Sequence, residues 1–455
     1  MVNLMYDVII IGGGPGGYKC AELLGKQKQR VAIIEEGNFG GVCLNQGCIP
    51  FKAYLYSSKL RDEAQKAIPK GLLQGEIQSP SQSEICRYKD YVVKKLCSSV
   101  ESLLKYSNVE ILRGHGSIKE YKGNTIVVDV NGQTYETFNL VIATGSEEKK
   151  LQETFVSSKL IDSKTMLELD YIPETIDIIG GGAVGLEAAC FYAEAGSRVK
   201  IIEAMDHIGG QLDIEMADAI EFILKKKAVT VLTDTKVETI NENGLTYSYM
   251  GDIFHDDPQL ILVAIGRTPT LDIQSLLKCG IEYSKNGICI NSKCRTNKSN
   301  IYSCGDATGM LMLAHTAYRQ ARVITDNIAG RDNEIIDYSS IPRVIYTNPE
   351  ILSIGLTEEE CKEYCIEYCA KSLPMSYSGK YFVEKGKDGA KVKMIVNKKK
   401  QIIGFHAIGN GASEFSLAAE IMIQEKMTVQ QISNFVFAHP TYFEIVGELA
   451  DQFQE

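Results

Sequence analysis

The 455-residue chain has no tryptophan, six histidines and no uncharged apolar run of eighteen residues. The missing run argues against a membrane-spanning helix. The scarcity of histidine leaves few candidates for a proton carrier. No block of lysine or arginine occurs, and 48 basic against 58 acidic residues give a net charge of −10. Such a chain is a poor partner for nucleic acid or an anionic membrane. The opening Met1-Val2-Asn3-Leu4-Met5-Tyr6-Asp7 lacks the basic lead and cleavage site of a secretory signal, so a cytoplasmic location is expected. Cysteine is not scarce: there are thirteen, eleven of them scattered singly. An odd total without a signal points to a reducing compartment rather than a disulfide framework. The length suits about three domains.

What is present is a repeat. Residues 6–36 read as a buried strand, the turn Gly12-Gly13-Gly14-Pro15-Gly16-Gly17, a helix, and a strand ending in Glu35. Residues 176–203 repeat this around Gly180-Gly181-Gly182-Ala183-Val184-Gly185 and end in Glu203. The first glycine (Gly12, Gly180) allows a tight turn. The second (Gly14, Gly182) lets backbone approach a pyrophosphate, and the third (Gly17, Gly185) lets helix and strand pack closely. The helix N-terminus offers free N–H groups to the phosphates. In both copies the acid stands 23 residues after the first glycine, where it can accept from ribose hydroxyls. A glycine turn in a non-binding domain is the bland alternative, and two complete copies disfavour it. Two sites imply two dinucleotides, and the natural pair for electron traffic is a flavin and a nicotinamide. Glu203 suits a free 2′-hydroxyl and no arginine follows it closely, which favours NAD over NADP.

Helices are expected over 51–70 and 83–106, and short strands over 109–146 with turns at Lys122-Gly123-Asn124 and Asn131-Gly132. The strand from Leu140 runs into Thr144-Gly145, the one from Leu260 into Gly266-Arg267, and the one from Ile301 into Gly305-Asp306. After about 335 strands alternate with helices at 357–364 and 412–425. The expected fold class is α/β, with two Rossmann-like dinucleotide-binding domains and an α+β C-terminal domain. The expected boundaries are 1–149 and 267–335 for the first domain, 150–266 for the second and 336–455 for the third.

The chemistry concentrates at Gly40-Gly41-Val42-Cys43-Leu44-Asn45-Gln46-Gly47-Cys48-Ile49-Pro50. On a regular helix two residues five apart have Cα atoms about 8.6 Å apart. A disulfide wants roughly 4.4–6.8 Å. A bond therefore needs a distorted turn, which Gly47 and Pro50 permit. A thiol pair just after a dinucleotide-binding unit lies where a flavin ring would lie. Thiolate character would come from a helix N-terminus and from Lys52. Two buried free cysteines are one alternative. A zinc pair is another, but ligand spacing is usually two to four and no second pair follows.

Among the histidines, His439 stands in Ala438-His439-Pro440-Thr441-Tyr442-Phe443-Glu444, where Glu444 can receive a ring N–H across a turn and raise the basicity of the other nitrogen. Alone this is a loop histidine; with a thiol pair needing a base, it is the candidate. His315 follows Gly305-Asp306 closely, but spacing alone does not make it a base. His115, His207, His255 and His406 show no arguable acid partner. Cys361, Cys365 and Cys369 recur every fourth position, but no histidine is near and the helix is expected to end near Cys365. No metal site is expected.

These motifs resemble the flavin-dependent pyridine nucleotide–disulfide reductases, and within them the dihydrolipoamide dehydrogenase branch, from about Tyr6 to Glu448. The stretches 40–50 and 439–444 are specific for the thiol-dependent enzymes. Met312-Leu313-Ala314-His315 looks like the lipoamide rather than the glutathione branch. The resemblance implies that Gly12, Gly14, Gly17 and Glu35 hold the adenine half of FAD. Gly41, Gly116, Thr144, Gly145, Ser146, Asp306, Met312, Leu313, Ala314 and His315 would hold the rest. Lys52 would sit by the flavin ring, paired with Glu187. Gly180, Gly182, Gly185, Glu187, Glu203, Val237 and Gly266 would line the NAD site. Cys43 would exchange with substrate and Cys48 would face the flavin. His439, oriented by Glu444, would be the acid–base, contributed across a homodimer interface by the C-terminal domain. The implied partner is a lipoylated carrier protein of a 2-oxoacid dehydrogenase or glycine cleavage complex. A glutathione-type reductase and a non-catalytic flavin scaffold are the alternatives. Two positions depart from the family's pattern: Phe51 stands where serine is usual, and Phe437 where histidine is usual. Neither removes a group that the chemistry needs.

Overall fold

The computed structural model describes residues 5–78, 81–331 and 335–454. The chain divides into two compact units. One comprises Met1–Ala53, Glu84–Lys149 and Arg267–Ile336; the other comprises Tyr54–Ser83, Lys150–Gly266 and Asp337–Glu455.

The first unit is organised by the strand Met5–Ile11, whose Val8, Ile9 and Ile10 are buried. Apolar residues on both faces are what a central parallel strand requires. It pairs in parallel with Val31–Glu35 on one side and Gln133–Ile142 on the other. Glu110–Arg113 extends the sheet beyond Val31–Glu35, and Ile126–Val130 with Gly116–Tyr121 extend it antiparallel at the other end. Ile301–Ser303 joins Gln133–Ile142 in parallel, with Ile301 opposite Leu140. The loops at Thr144-Gly145 and Gly305-Asp306 thus leave neighbouring strands at their carboxyl ends, which is where open α/β sheets bind ligands. The helix Pro15–Lys26 starts at Gly14 with proline in its first turn, where the missing N–H costs nothing. Tyr6, Ile9, Ile34, Ile118, Val128 and Ile301 share one core.

The second unit repeats the device. Thr175–Ile179 lies between Arg198–Ile202 and Leu260–Val263 in a five-stranded parallel sheet. An antiparallel meander, Lys236–Asn241, Gly244–Tyr249 and Asp252–Asp256, packs its Ile240, Leu245 and Tyr247 with Ile179 and Ile202. The C-terminal part is a five-stranded antiparallel sheet. Its Leu352 and Phe405 share a core with Phe415, Val446 and Leu449, which follow the sheet in helical segments. Two dinucleotide-type sheets and an α+β end bear out the expected fold class.

The helix expected over 51–70 runs Cys48–Ala67, and that over 83–106 runs Gln82–Tyr106. The helix expected over 357–364 is Glu358–Glu363, started by a capping box between Thr357 and Glu360. Beyond it Cys365 takes a φ of 55° and Cys369 lies in the strand Tyr368–Pro374, so the three cysteines share no helical face.

Candidate active site

Gly12 and Gly180 take φ of 105° and 104°. A Cβ on Gly12 would lie 2.1 Å from the Ala143 carbonyl oxygen, and one on Gly180 2.5 Å from that of Ala264. A Cβ on Gly17 would lie 1.9 Å from the Gly12 carbonyl oxygen, and one on Gly185 2.0 Å from that of Gly180. The first and third glycines therefore hold strand, turn and helix together. The middle ones do not: a Cβ on Gly14 meets only the Gly41 Cα, at 3.8 Å, and one on Gly182 meets nothing within 4 Å. Each turn thus keeps an uncovered backbone at a helix N-terminus, the cradle a pyrophosphate fits.

The acids are also bound locally. Glu35 accepts the N–H of Gly13 at 2.7 Å and of Gly37 at 2.7 Å; Glu203 accepts those of Gly181 at 2.6 Å and Met205 at 2.8 Å. A carboxylate has about four acceptor positions, so each retains capacity for a ribose diol while being aimed by its own turn. Gly13 and Gly181 were not among the expected site residues; their role is to orient the acids.

After the first acid the chain makes two separate helices, Gly41–Asn45 and Cys48–Ala67, divided at Gln46-Gly47. This break is the distorted turn that a Cys43–Cys48 pair requires. The two thiols hydrogen bond to each other. That bond, then burial and the charge of Cys48, push the Cys43 thiol far above its ordinary value, while Lys52 pulls it down and Asp306 raises it further. Cys48 opens a twenty-residue helix, whose N-terminal end favours negative charge. Asn45 pins the turn by donating its amide to the Gly41 carbonyl at 2.9 Å and that of Phe39 at 3.2 Å. Its own oxygen accepts the Cys97 thiol at 3.4 Å.

In the same unit, Ser146 donates to Asp306 at 2.5 Å, and Arg267 donates to the Ser146 hydroxyl at 2.8 Å and carbonyl at 2.6 Å. Arg267 is a further residue that positions Asp306; its place directly after Gly266 was the available signal. Thr144 donates to the Thr270 carbonyl at 2.6 Å, and Gly145 takes a φ of 75°. Met312 and Leu313 lead into the helix Ala314–Ile328, with Leu313 at its N-cap and His315 exposed in its first turn. A Cβ on Gly116 would press on Ile34 at 2.9 Å, so this glycine answers a packing need of the sheet. In the second unit, Glu187 is buried on the helix Ala183–Ala195 and accepts the Tyr346 N–H at 2.9 Å. Val237 lies in the strand Lys236–Asn241, partly buried, and Gly266 takes a φ of 103°.

His439 places Nδ1 2.8 Å from Glu444 Oε2. The histidine side chain is 79% exposed and the glutamate 15%, so a fixed carboxylate holds a ring whose other nitrogen faces outward. His115 and His207 do have acid partners, contrary to expectation: Glu36 at 3.4 Å and Asp206 at 2.6 Å. The first spans unrelated segments and the second involves a chain neighbour that the sequence reading passed over. His406 is fully buried between Ser353 and the Leu356 carbonyl, and burial pushes its pKa down. Phe51 is buried, and Phe437 packs against Gly447. Among the described residues no helix is long and apolar enough to cross a membrane.

The site defines a class of protein, and comparison with known proteins agrees with it. The chain belongs to the pyridine nucleotide-disulphide oxidoreductase family, whose model matches residues 6–321 and whose dimerisation domain matches 341–450. Dihydrolipoyl dehydrogenase of Geobacillus stearothermophilus is 34% identical over 451 residues, 98% of this chain and 95% of that protein. The protein of the same name in Mycoplasma genitalium is also 34% identical, covering 98% and 97%. LpdA of Mycobacterium tuberculosis shares the fold at a TM-score of 0.89 and 21% identity, covering 98% of this chain and 99% of that one. The HOCl-induced flavoprotein disulfide reductase RclA of Escherichia coli does so at 0.86 and 24%, with coverage of 98% and 99%.

Proposed function

We propose that the chain is a flavin-dependent dihydrolipoyl dehydrogenase that uses NAD. The observation that carries this is the contact between Cys43 and Cys48, made by a broken helix in the unit that also holds the first glycine cradle. FAD would be held by Gly12, Gly14, Gly17, Glu35, Gly41, Lys52, Gly116, the run 144–146, Asp306 and the run 312–315. NAD would be held by Gly180, Gly182, Gly185, Glu187, Glu203, Val237 and Gly266. What the flavin supplies when bound is two-electron transfer between the thiol pair and the nicotinamide.

The chain's own residues do the thiol chemistry. His439, its Nδ1 tied to Glu444, takes the proton of one dihydrolipoyl thiol on Nε2. The resulting thiolate attacks Cys43 in the oxidised pair, the Cys43–Cys48 bond breaks, and Cys48 leaves as a thiolate. The second dihydrolipoyl sulfur passes its proton to Cys43 as it displaces that sulfur from the mixed disulfide. Lipoyl disulfide departs, and Cys43 and Cys48 hold the electron pair. Exchange of this kind runs at a rate set by the attacking thiolate fraction and the leaving thiol, which is why a base is needed. The match to a dimerisation domain supports a homodimer, with His439 acting from the second copy. The lipoyl group would arrive on a separate carrier protein of a 2-oxoacid dehydrogenase or glycine cleavage complex. Side-by-side assays of NADH with lipoamide and NADPH with glutathione test this reading. Turnover in the first and none in the second is expected; the reverse overturns it.

A further inference from the structure

A cluster of buried charges in the second unit takes no part in the reaction above. Lys393 stands in the strand Lys391–Asn397 and Asp213 at the N-cap of Ile214–Lys226; their side chains are 2% and 0% exposed. The ammonium donates to both Asp213 oxygens, at 2.7 and 2.9 Å, and lies 2.5 Å from Glu358 at the start of Glu358–Glu363. Glu215 stands farther off, at 3.5 Å, and is itself held by Lys391 at 2.9 Å and Ser372 at 2.8 Å. His406, opposite Lys393 in the sheet, is fully buried, and burial favours its neutral form. Burial disfavours the charge on Lys393, but the bonds to Asp213 and Glu358 outweigh it and raise its pKa.

Apolar side chains of similar volume fill a core as well as a buried ion pair does, or better. What the ions add is a fixed geometry: one ammonium ties a strand to two helix starts. One of those starts leads directly to the second glycine turn. Asp213 lies four residues past Gly209, whose N–H donates to the Gly181 carbonyl at 2.8 Å. Ile208 is fully buried and lies against the same glycine: a Cβ on Gly181 would meet its Cγ2 at 2.7 Å. The Gly181 N–H in turn aims Glu203, at 2.6 Å. Between these contacts and Asp213 the chain passes through Gly209-Gly210, both at positive φ. Glycine loses the most conformational freedom on ordering, so such a stretch keeps its course only if both ends are held. Gly181 holds one end. At the other, Asp213 accepts the Glu215 N–H at 3.1 Å and the Lys393 ammonium.

We propose that Lys393 is a positioning residue for the nicotinamide cradle: by holding Asp213 it fixes the segment 208–213 against Gly181, and through Gly181 the Glu203 carboxylate. The proposal rests on the NAD role given to that cradle under the proposed function. No bond is made or broken in this role, and Lys393 touches no nucleotide.

The test uses flavin-loaded protein. Lys393→Met alone leaves Asp213 buried without its counter-charge and is expected to fold poorly. The deciding variant is therefore the double Lys393→Met/Asp213→Asn, which removes one charge of each sign and keeps a good N-cap residue. Its remaining neighbour Glu358 is partly exposed and bound by the Tyr368 hydroxyl at 2.8 Å. Asp213→Asn alone is the milder companion, with Lys393 still paired to Glu358. Titration calorimetry with NAD⁺ and amide hydrogen exchange resolved by peptide are measured on each. In the double variant the dissociation constant for NAD⁺ should rise by about 2–30-fold, the span produced by substitutions outside a ligand's own contacts. Peptides covering Gly181 and 208–212 should lose protection, while those covering Gly12–Gly17, and the flavin content, stay parental. Asp213→Asn should shift both readouts in the same direction by less. Parental NAD⁺ affinity or parental exchange at 208–212 in the variants overturns the proposal, even if the melting temperature falls, since that loss alone marks a packing role. A parent that binds no NAD⁺, with exchange at 208–212 still rising in the variants, would sink the cofactor reading and leave the anchoring of the turn standing.

Discussion

In the first glycine module Glu35 accepts the Gly13 N–H, Gly40 donates to the Gly13 carbonyl at 2.8 Å, and Gly40-Gly41 both take positive φ. In the second, Glu203 accepts the Gly181 N–H, Gly209 donates to the Gly181 carbonyl at 2.8 Å, and Gly209-Gly210 both take positive φ. The likeness stops after the double glycine. The first chain continues into Cys43 and folds back so that Gly41 touches Gly14; the second continues to Asp213, which caps the helix Ile214–Lys226. Both cradles stay uncovered, but a neighbouring backbone, at Gly41, approaches only the first. Under the proposed function, the redox chemistry lies in what one copy appends, not in what both share. The modules also differ three residues before their first glycine: Ile9 is an ordinary core residue, whereas Asp177 is a buried carboxylate.

The largest expected effect removes the appended chemistry and leaves both cradles. Cys48→Ser should abolish lipoamide turnover while the protein stays yellow; retained turnover would break the contrast between the modules. Next, His439→Gln should lower turnover by about 10²–10⁴-fold, the usual span for an acid–base group. Steady-state assays showing parental rates would remove His439 from the mechanism.

Two substitutions separate the cradles themselves. Gly17→Ala should lose flavin, and Gly185→Ala should keep flavin but lose nicotinamide, each with an overpacking cost of about 1–3 kcal/mol. Gly182→Ala, placed in open space, should leave the melting temperature at the parental value and raise the KM for NADH. Equal loss of stability in Gly182→Ala and Gly185→Ala would contradict the division of labour among the glycines.

The smallest effect concerns Asp177. Burial, opposed by Lys200, holds its carboxyl up at about 7. A raised carboxyl contributes stability that is complete below the unfolded value near 4 and fades as pH rises through 7. Asp177→Asn, neutral throughout, should therefore gain on the parent between pH 5 and pH 8, by about 2–4 °C in melting temperature per kcal/mol recovered. A gap that narrows with rising pH would reverse the assigned sign.

Much of this was legible in the sequence because it is local. Gly12 to Glu35 is a single strand–turn–helix–strand, and the helix at Glu358 announces itself through Thr357 and Glu360. The broken helix between Cys43 and Cys48 was visible as a need, since a regular one holds the sulfurs too far apart. Contacts between distant segments were not legible. Lys393 donates to Asp213 at 2.7 Å across 180 positions, and Tyr18 meets Tyr318 across 300. No spacing rule joins such residues; only the packed sheets bring them together. The longer extent of the repeat lay in plain view: Phe39-Gly40-Gly41 and Ile208-Gly209-Gly210 are the same step taken twice.

The most direct measurement is a thiol count with peptide mapping on flavin-loaded protein, air-oxidised and then treated anaerobically with NADH. NADH is expected to expose two new thiols, both mapping to Cys43 and Cys48, joined in one peptide beforehand. An oxidised protein with both of these residues already free, or new thiols arising elsewhere in the chain, would contradict it.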